Sequence, residues 1–157
     1  MNTFSHSSDG VKFPRTGNFI EHGNGDYIAA NSQVIKKGYA LTMSATGFLE
    51  IAEVADRVFA IALVALSTDS DNQSNVEKQV GPAIHIVESH VDYEMRANAD
   101  LVQADLLDHF DLIIVDGVQL VDKTGGAVTT AADQVVQVRR IGVNGDPRAC
   151  IVRFITR

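Results

Sequence analysis

Short runs in which apolar and polar residues alternate recur along the chain from residue 27 onward. An alternation with a period of two is typical of β-strands, because successive strand side chains point to opposite faces of a sheet. The predicted strands are residues 27–30, 33–35, 39–43, 48–52, 57–66, 76–80, 83–87, 91–96, 112–115, 118–121, 134–143 and 149–155. Short strands at this spacing indicate a sandwich or a barrel.

Turn residues separate these runs. The Asp116-Gly117 pair between two apolar runs predicts a hairpin. In residues 57–66 large apolar side chains alternate with alanine, which favours a buried strand over the competing interpretation, a core helix. One short helical turn is predicted, capped at residues 98–100 and reaching about residue 109.

Composition supports the same fold class. The chain has 19 valines and 12 isoleucines against 9 leucines, and β-branched side chains suit a pleated sheet better than a helix. With 45% hydrophobic and 21% charged residues, the composition excludes a wholly disordered chain. We therefore expect a mainly β protein, a compact barrel or sandwich-like (β-tulip-like) domain with at most one short helix.

Charge and apolar runs limit the function classes. A net charge of −7 argues against nucleic acid as a direct partner, since that task usually needs a basic surface. The longest apolar run, residues 58–66, is far shorter than the roughly 20 residues that span a bilayer. No signal-peptide pattern is apparent, so we expect synthesis in the cytoplasm and no membrane partner. A single cysteine, Cys150, excludes an intrachain disulfide.

Residues 1–26 differ from the rest of the chain, and they are predicted to be an extended N-terminal arm ahead of a β-rich domain at residues 27–157. They are rich in Gly, Ser and Asn, yet they contain Phe4, Phe13, Phe19 and Ile20. A solvated linker has little use for such side chains. One interpretation is a loose tail; the other is an arm whose apolar side chains anchor it to a neighbouring subunit or partner. We then expect the domain to fold without residues 1–26.

Candidate catalytic and metal-binding motifs are few, and no catalytic, cofactor-binding or metal-binding residue is predicted. Residues 69–73 begin like a calcium loop, but Ser74 and Val80 occupy positions that need Gly and an acid. The histidines lack metal-ligand spacing and are interpreted as structural or surface residues. Cys150 is interpreted as a small buried side chain. We do not expect an enzyme.

Charges are unevenly distributed. The C-terminal part is rich in arginine, and the segment from residue 100 to residue 122 is rich in aspartate. Such segregation offers complementary faces between subunits, although ordinary surface charge on alternating strand positions is the simpler interpretation.

The order of these features resembles one known family. A Lys-Lys-Gly-Tyr-Ala-Leu turn at residues 36–41 precedes the apolar strand at residues 58–63, and a polar loop leads to Val-Gly-Pro-Ala at residues 80–83. A segment rich in aspartate ends in Phe-Asp-Leu at residues 110–112, and a hairpin and a final Val-Arg-Phe strand at residues 152–154 follow. Over residues 27–157 this pattern is similar to the capsid cement, or head decoration, proteins of tailed bacteriophages.

The resemblance implies a structural virion protein without cofactors. It implies a homotrimer on the outer capsid surface that bridges neighbouring major capsid proteins and stabilises the shell. Two alternatives remain open. One is a small trimeric β-barrel hydrolase with a site between subunits, and the other is a glycan-binding module of a phage tail or fibre.

Overall fold

The protein is described by a computed structural model that covers residues 4–5, 10–11, 13–14 and 21–156. Within these residues the chain is mainly β, as predicted, with fifteen short strands, three 3₁₀ turns and no α-helix. In chain order the strands are Phe4–Ser5 (β1), Phe13–Pro14 (β2), Glu21–His22 (β3), Val34–Ile35 (β4), Ala40–Met43 (β5), Leu49–Ile51 (β6), Ala60–Ala62 (β7), Leu66–Ser67 (β8), Ile84–Ile86 (β9), Tyr93–Arg96 (β10), His109–Phe110 (β11), Leu112–Val115 (β12), Val118–Val121 (β13), Val136–Ile141 (β14) and Ala149–Phe154 (β15). The 3₁₀ turns are Gln103–Asp105, Ala131–Asp133 and Val143–Gly145.

The larger sheet has five antiparallel strands in the order β3-β9-β7-β5-β6. Its β5–β6 hairpin pairs Leu41 with Ile51 and Met43 with Leu49. Gly47 lies in the connecting turn with a φ of +85°, a conformation that glycine adopts without strain. The turn chemistry and the apolar alternation therefore act together to set this register.

The second sheet has four antiparallel strands in the order β10-β15-β14-β11. The register of β14 against β15 shifts between Val138 and Arg140, which pair with Val152 and Ile151. One extra residue on β14 therefore forms a β-bulge at Arg139, and such bulges increase the local twist of a strand.

Three two-stranded ribbons complete the described structure: β1–β2, β4–β8 and β12–β13. In the last of these, Asp116 and Gly117 form the turn with φ values of +49° and +74°. Positive φ at both positions is the conformation for which Asp-Gly is favoured in a tight hairpin. The predicted hairpin is confirmed.

The two larger sheets share one apolar cluster. Ala40 and Ile61 of the five-stranded sheet lie in it together with Val136 and Val152 of the four-stranded sheet. A second cluster covers the other face of the five-stranded sheet and includes Ile35, Tyr39, Leu41, Leu49, Ala60, Ala62 and Ile84. Because apolar side chains lie on both faces of this sheet, all three residues of β7 are buried.

The run at residues 57–66, predicted as one strand, is interrupted, so the prediction is wrong in extent. It supplies β7 and the first residue of β8, which belong to different sheets. Between them the Leu63 N–H donates to the Ala83 carbonyl at 2.8 Å, which extends the β7–β9 register by one residue. The chain bends at residues 63–64 and then enters β8, which pairs with β4 and not with β9.

The strand predicted at residues 76–80 is also wrong. Residues 76–78 form a turn and residues 79–80 are irregular, and Val76 is 80% exposed. The Asn72 side chain hydrogen-bonds both the N–H and the carbonyl of Val80 at 3.0 Å. This buried amide closes the segment as a loop, so no neighbouring strand pairs with it.

The predicted helix is wrong in length and type, since only the 3₁₀ turn at Gln103–Asp105 forms there. The flanking backbone bonds instead to other segments: the Leu101 N–H donates to Pro147 and the Leu107 N–H donates to Val138. Leu107 also has a φ of +71°, which a helix cannot accommodate. The described chain has three 3₁₀ turns and no α-helix, which is consistent with the expectation of at most one short helix.

No helix among the described residues is long and apolar enough to cross a bilayer.

Candidate binding surface

The four predicted anchor residues of the N-terminal arm are placed only in part. Phe4 lies on β1 and Phe13 on β2, where the register sets Phe4 opposite Pro14 and Phe13 opposite Ser5. Their side chains, and all of Phe19 and Ile20, lie outside the described residues. The anchoring role of these residues therefore stays a prediction.

Other residues tie the N-terminal segment to the domain. Val11 is fully buried in the cluster between the two sheets, and its N–H donates to the Gly38 carbonyl at 2.8 Å. A Cβ on Gly10 would lie 2.4 Å from the Gly38 oxygen, so only glycine fits. Farther along, β3 forms an edge of the five-stranded sheet by pairing with β9. Parts of residues 1–26 thus pack against the domain, and whether the domain folds without them stays a prediction.

The larger of two described surface clefts lies beside β9. It has a volume of about 630 Å³, and its lining is Met43, Val58, Phe59, Ile86, Val87, Glu88, Ser89, His90 and Thr156. Five of its lining residues are apolar, and the four polar ones come from the loop between β9 and β10 and from Thr156. A cleft with a mainly apolar lining suits an apolar side chain of a partner molecule.

The polar lining residues of this cleft include one ion pair. His90 Nε2 lies 3.2 Å from the Glu88 carboxylate, and the His90 side chain is 77% exposed. A pair this exposed is screened by water and contributes little to stability. Glu88 and His90 give the cleft groups that can form hydrogen bonds beside its apolar lining residues.

A second cleft of about 460 Å³ lies near the β4–β8 ribbon. Asn24, Gly25, Val64, Ala65, Leu66, Gln79, Val80 and Gly81 line it. Val80 is 39% exposed here. The described surface therefore has a second mainly apolar cleft, which includes the end of the loop at residues 69–81.

Two aspartates of the segment from residue 100 to residue 122, Asp105 and Asp122, form hydrogen bonds within the fold. Asp105 is buried, binds the Lys123 ammonium and accepts the Val102 N–H at 2.7 Å. Burial raises the pKa of Asp105, but the Lys123 hydrogen bond, the Val102 N–H and the Lys123 charge outweigh it, so the pKa lies below its usual value. The segment is thus used for internal ion pairing.

Asp122 is the centre of a second polar group. Its Oδ1 accepts hydrogen bonds from Asn98, Thr124 and the Gly125 N–H at 2.8 to 3.0 Å. Burial raises the pKa of Asp122, but these donors outweigh it and leave the pKa below the usual value. In the described part of the chain no group of three or more His, Cys, Asp or Glu residues is arranged to hold a metal ion.

The loop that begins like a calcium site is organised by Asn72. Its side-chain nitrogen donates to the carbonyls of Ala29 at 2.7 Å and Val80 at 3.0 Å, and Asn72 is 2% exposed. Sequence reasoning treated this segment as a solvated turn and missed the buried amide. Since the Asn72 side chain binds protein backbone, it is a structural element of the loop.

His85 and Tyr93 form a buried pair across the two sheets. His85 Nε2 and Tyr93 Oη are 2.9 Å apart, and both residues are almost completely buried. Burial lowers the pKa of His85, against the opposing charges of Glu21 and Glu88. Burial also raises the pKa of Tyr93. The interpretation of His85 as a structural residue agrees with this environment.

Cys150 lies in β15 with its side chain fully buried. Its Sγ donates a weak hydrogen bond to the Met95 carbonyl at 3.6 Å. Burial raises the pKa of this thiol to about 12, so the thiolate is scarce at neutral pH. This agrees with the prediction of a small buried side chain.

Several C-terminal arginines pair within the chain. Arg148 Nε lies 2.9 Å from Asp100, Arg153 Nε lies 2.7 Å from Asp92, and Arg96 binds Asp146. Of these pairs, Arg148–Asp100 joins the arginine-rich C-terminal part to the segment rich in aspartate.

Gln119 is the residue that sequence reasoning overlooked most clearly. It is 1% exposed on β13, and its Nε2 donates to the Ala52 carbonyl at 2.8 Å. The same amide bonds the backbone of Ala40. Nothing in the local pattern distinguishes it from an outward-facing glutamine of an alternating strand.

The buried side chains of Asn72, His85, Asp105 and Gln119 hydrogen-bond to other parts of the chain, and the two clefts present mainly apolar surface. No family model, no curated protein and no solved structure matches this chain.

Proposed function

We propose that this chain is a structural protein of the capsid-cement type. It binds the outer surface of a tailed-phage head as a homotrimer and stabilises the shell by bridging major capsid proteins. The domain is taken to be sandwich-like, since its two larger sheets share one apolar cluster. The mainly β fold supports this proposal together with the order of sequence features that resembles the family.

The observation that carries the proposal is the contrast between interior and surface. Polar side chains such as Gln119 and Asn72 are buried and bind backbone groups of neighbouring segments. The surface offers an apolar cleft lined by Phe59 and Ile86. Such a surface is suited to adhesion, because burying one Phe or Leu side chain of a partner contributes about 1.5–3 kcal/mol.

Adhesion by weak contacts gains strength from symmetry. Three copies of one cleft, held in one trimer, act at a high effective concentration once the first is occupied. Under this proposal the N-terminal segment adds further contacts, and Phe4, Phe13, Phe19 and Ile20 remain its proposed anchors. Ordering such a segment costs about 1–2 kcal/mol of backbone entropy per residue, which the new contacts must offset.

The first test is the mass of the purified chain in solution, measured by light scattering. The proposal predicts a trimer, three times the chain mass of 16.9 kDa. The second is co-sedimentation with expanded heads assembled from the major capsid protein encoded in the same genome. A chain that stays monomeric and does not sediment with these heads contradicts the proposal.

A pair of variants ties head binding to the cleft. Ser89 lies exposed in the cleft wall, so Ser89→Arg obstructs the cleft without altering the core. Thr129→Arg adds the same side chain at an exposed position outside the cleft and serves as the control. We expect only Ser89→Arg to reduce co-sedimentation, and equal binding by both variants would remove the cleft from the proposal.

A further inference from the structure

Two Asn-Gly pairs occur in this chain, Asn24-Gly25 and Asn144-Gly145. An asparagine followed by glycine is prone to a spontaneous reaction. The backbone nitrogen of the glycine attacks the side-chain Cγ, and the resulting cyclic intermediate loses ammonia to give a five-membered succinimide. Glycine favours this reaction because it has no Cβ to obstruct the backbone rotation that the attack needs.

The first pair is held by hydrogen bonds to a distant part of the chain. The Asn24 side-chain oxygen accepts the Ala83 N–H at 2.9 Å. The nucleophile itself, the Gly25 N–H, donates to the Gly81 carbonyl at 3.0 Å. Both bonds join the turn to the segment that leads into β9, so attack requires this tertiary contact to open.

The second pair lies in the exposed turn between β14 and β15. Asn144 has a φ of +54°, and it is flanked by Gly142 and Gly145 with φ values of +71° and +76°. In the described structure the Asn144 side chain makes no hydrogen bond. The Gly145 N–H donates only to Gly142, inside the same turn, at 3.1 Å. Opening this turn therefore breaks local contacts alone, and exposed turns open at low free energy.

We propose that Asn144 is a site of spontaneous deamidation and that the fold protects Asn24. In the reaction the Gly145 nitrogen forms a bond to Asn144 Cγ, its proton is lost to solvent, and the side-chain nitrogen departs as ammonia. Water then opens the succinimide at either carbonyl, giving aspartate or isoaspartate at position 144.

Either product changes the β14–β15 connection. A new carboxylate arises two residues before Asp146, which accepts the Arg148 N–H at 2.9 Å and binds Arg96. Isoaspartate also lengthens the backbone of the turn by one methylene. The inference goes beyond the proposed function and does not depend on it: the turn acts as a slow covalent ageing site in whatever assembly the chain occupies.

The test is peptide mapping of the purified full chain, incubated at neutral pH with and without urea. Cleavage after Arg140 and Arg148 releases residues 141–148, in which Asn144 is the single asparagine. Mass spectrometry then follows the replacement of NH by O, and isoaspartyl methylation distinguishes the two products. Asn144→Gln is the control, because glutamine does not form the five-membered ring.

In the folded chain we expect Asn144 to react at least about tenfold faster than Asn24, which corresponds to about 1.4 kcal/mol of additional opening free energy at Asn24. In urea the two rates should converge, since the protecting hydrogen bonds are lost. Equal rates in the folded chain, or a large difference that persists in urea, would overturn the inference.

Discussion

The side-chain amide of Gln119 hydrogen-bonds both backbone groups of Ala40, as a neighbouring strand would. Its Oε1 accepts the Ala40 N–H at 2.6 Å, and its Nε2 donates to the Ala40 carbonyl at 3.2 Å. The same Nε2 donates to the Ala52 carbonyl at 2.8 Å. One side chain thereby attaches the β12–β13 ribbon to the start of β5 and the end of β6.

Replacing Gln119 by alanine should destabilise the fold strongly. Buried backbone groups of Ala40 and Ala52 lose a partner, and an unsatisfied buried polar group costs about 1–3 kcal/mol. We expect a decrease of about 2–3 kcal/mol in the free energy of unfolding, measured by urea denaturation. The control is Gln103→Ala, at an exposed position. Equal stability of the two variants would show that the Gln119 contacts are dispensable.

Truncation should distinguish the two parts of the N-terminal segment. Deleting residues 1–9 removes β1 and leaves Val11 in place, so we expect the domain to remain folded. Deleting residues 1–26 removes a buried valine and the edge strand β3, and we expect thermal unfolding at a clearly lower temperature.

A point variant separates packing from chain length. Val11→Ala in the full chain should cost about 1–2 kcal/mol, because two methyl groups leave a filled core. Thermal melts followed by circular dichroism compare it with the truncations. If removal of residues 1–26 left the melting temperature unchanged, the contacts of Val11 and β3 would not contribute to stability.

Stability should decrease in mild acid because of His85. Burial lowers the pKa of this imidazole, so the folded chain keeps it neutral, whereas the unfolded chain protonates it near its ordinary pKa of 6.5. The unfolded state then binds more protons as the pH falls below about 6.5, and the free energy of unfolding decreases. Half-buried His109, whose pKa is also lowered by partial burial, contributes in the same direction.

Urea denaturation between about pH 7 and pH 5 measures this dependence. His85→Gln should reduce the slope of unfolding free energy against pH, although the variant is less stable overall. Gln103→Ala, which changes an exposed side chain that does not titrate, should leave the slope as it is in the unaltered chain. The same slope in all three proteins would exclude His85 as the titrating group.

Cys150 should be unreactive in the folded chain. Because burial raises its pKa to about 12 and covers its sulfur, a maleimide or iodoacetamide reagent at pH 8 finds neither thiolate nor access. We expect labelling to be slower by about two orders of magnitude or more than in urea. Mass spectrometry of the intact chain follows the reaction. Rapid labelling without urea would mean that β15 is accessible in solution.

Local strand and turn predictions agree with the structure where neighbouring residues suffice. The β12–β13 hairpin is an example, since Asp116 and Gly117 supply the two positive φ values of its turn. Two other patterns were locally consistent with a strand, and tertiary contacts overrode them. At residues 57–66 the chain bends after β7 so that β8 pairs with β4, and at residues 76–80 the Asn72 side chain hydrogen-bonds Val80.

The candidate binding surface was less accessible to sequence reasoning. The predicted anchors Phe4, Phe13, Phe19 and Ile20 were chosen as apolar residues in a polar segment, and their role stays a prediction. The cleft beside β9 combines residues as far apart as Met43 and Thr156. No spacing in the chain brings such residues together, because they meet only when sheet order is set.

The sequence by itself determined that this protein is mainly β and where several tight turns lie, because β-branched residues, alternation and glycine act through local geometry. Only the tertiary structure decided that Val11 is a core residue and that the Gln119 side chain hydrogen-bonds the backbone of Ala40, 79 positions away. The physical reason is that burial and hydrogen-bond partners depend on which segments lie next to each other in space. The local sequence pattern around Val11 or Gln119 does not indicate which segments these are.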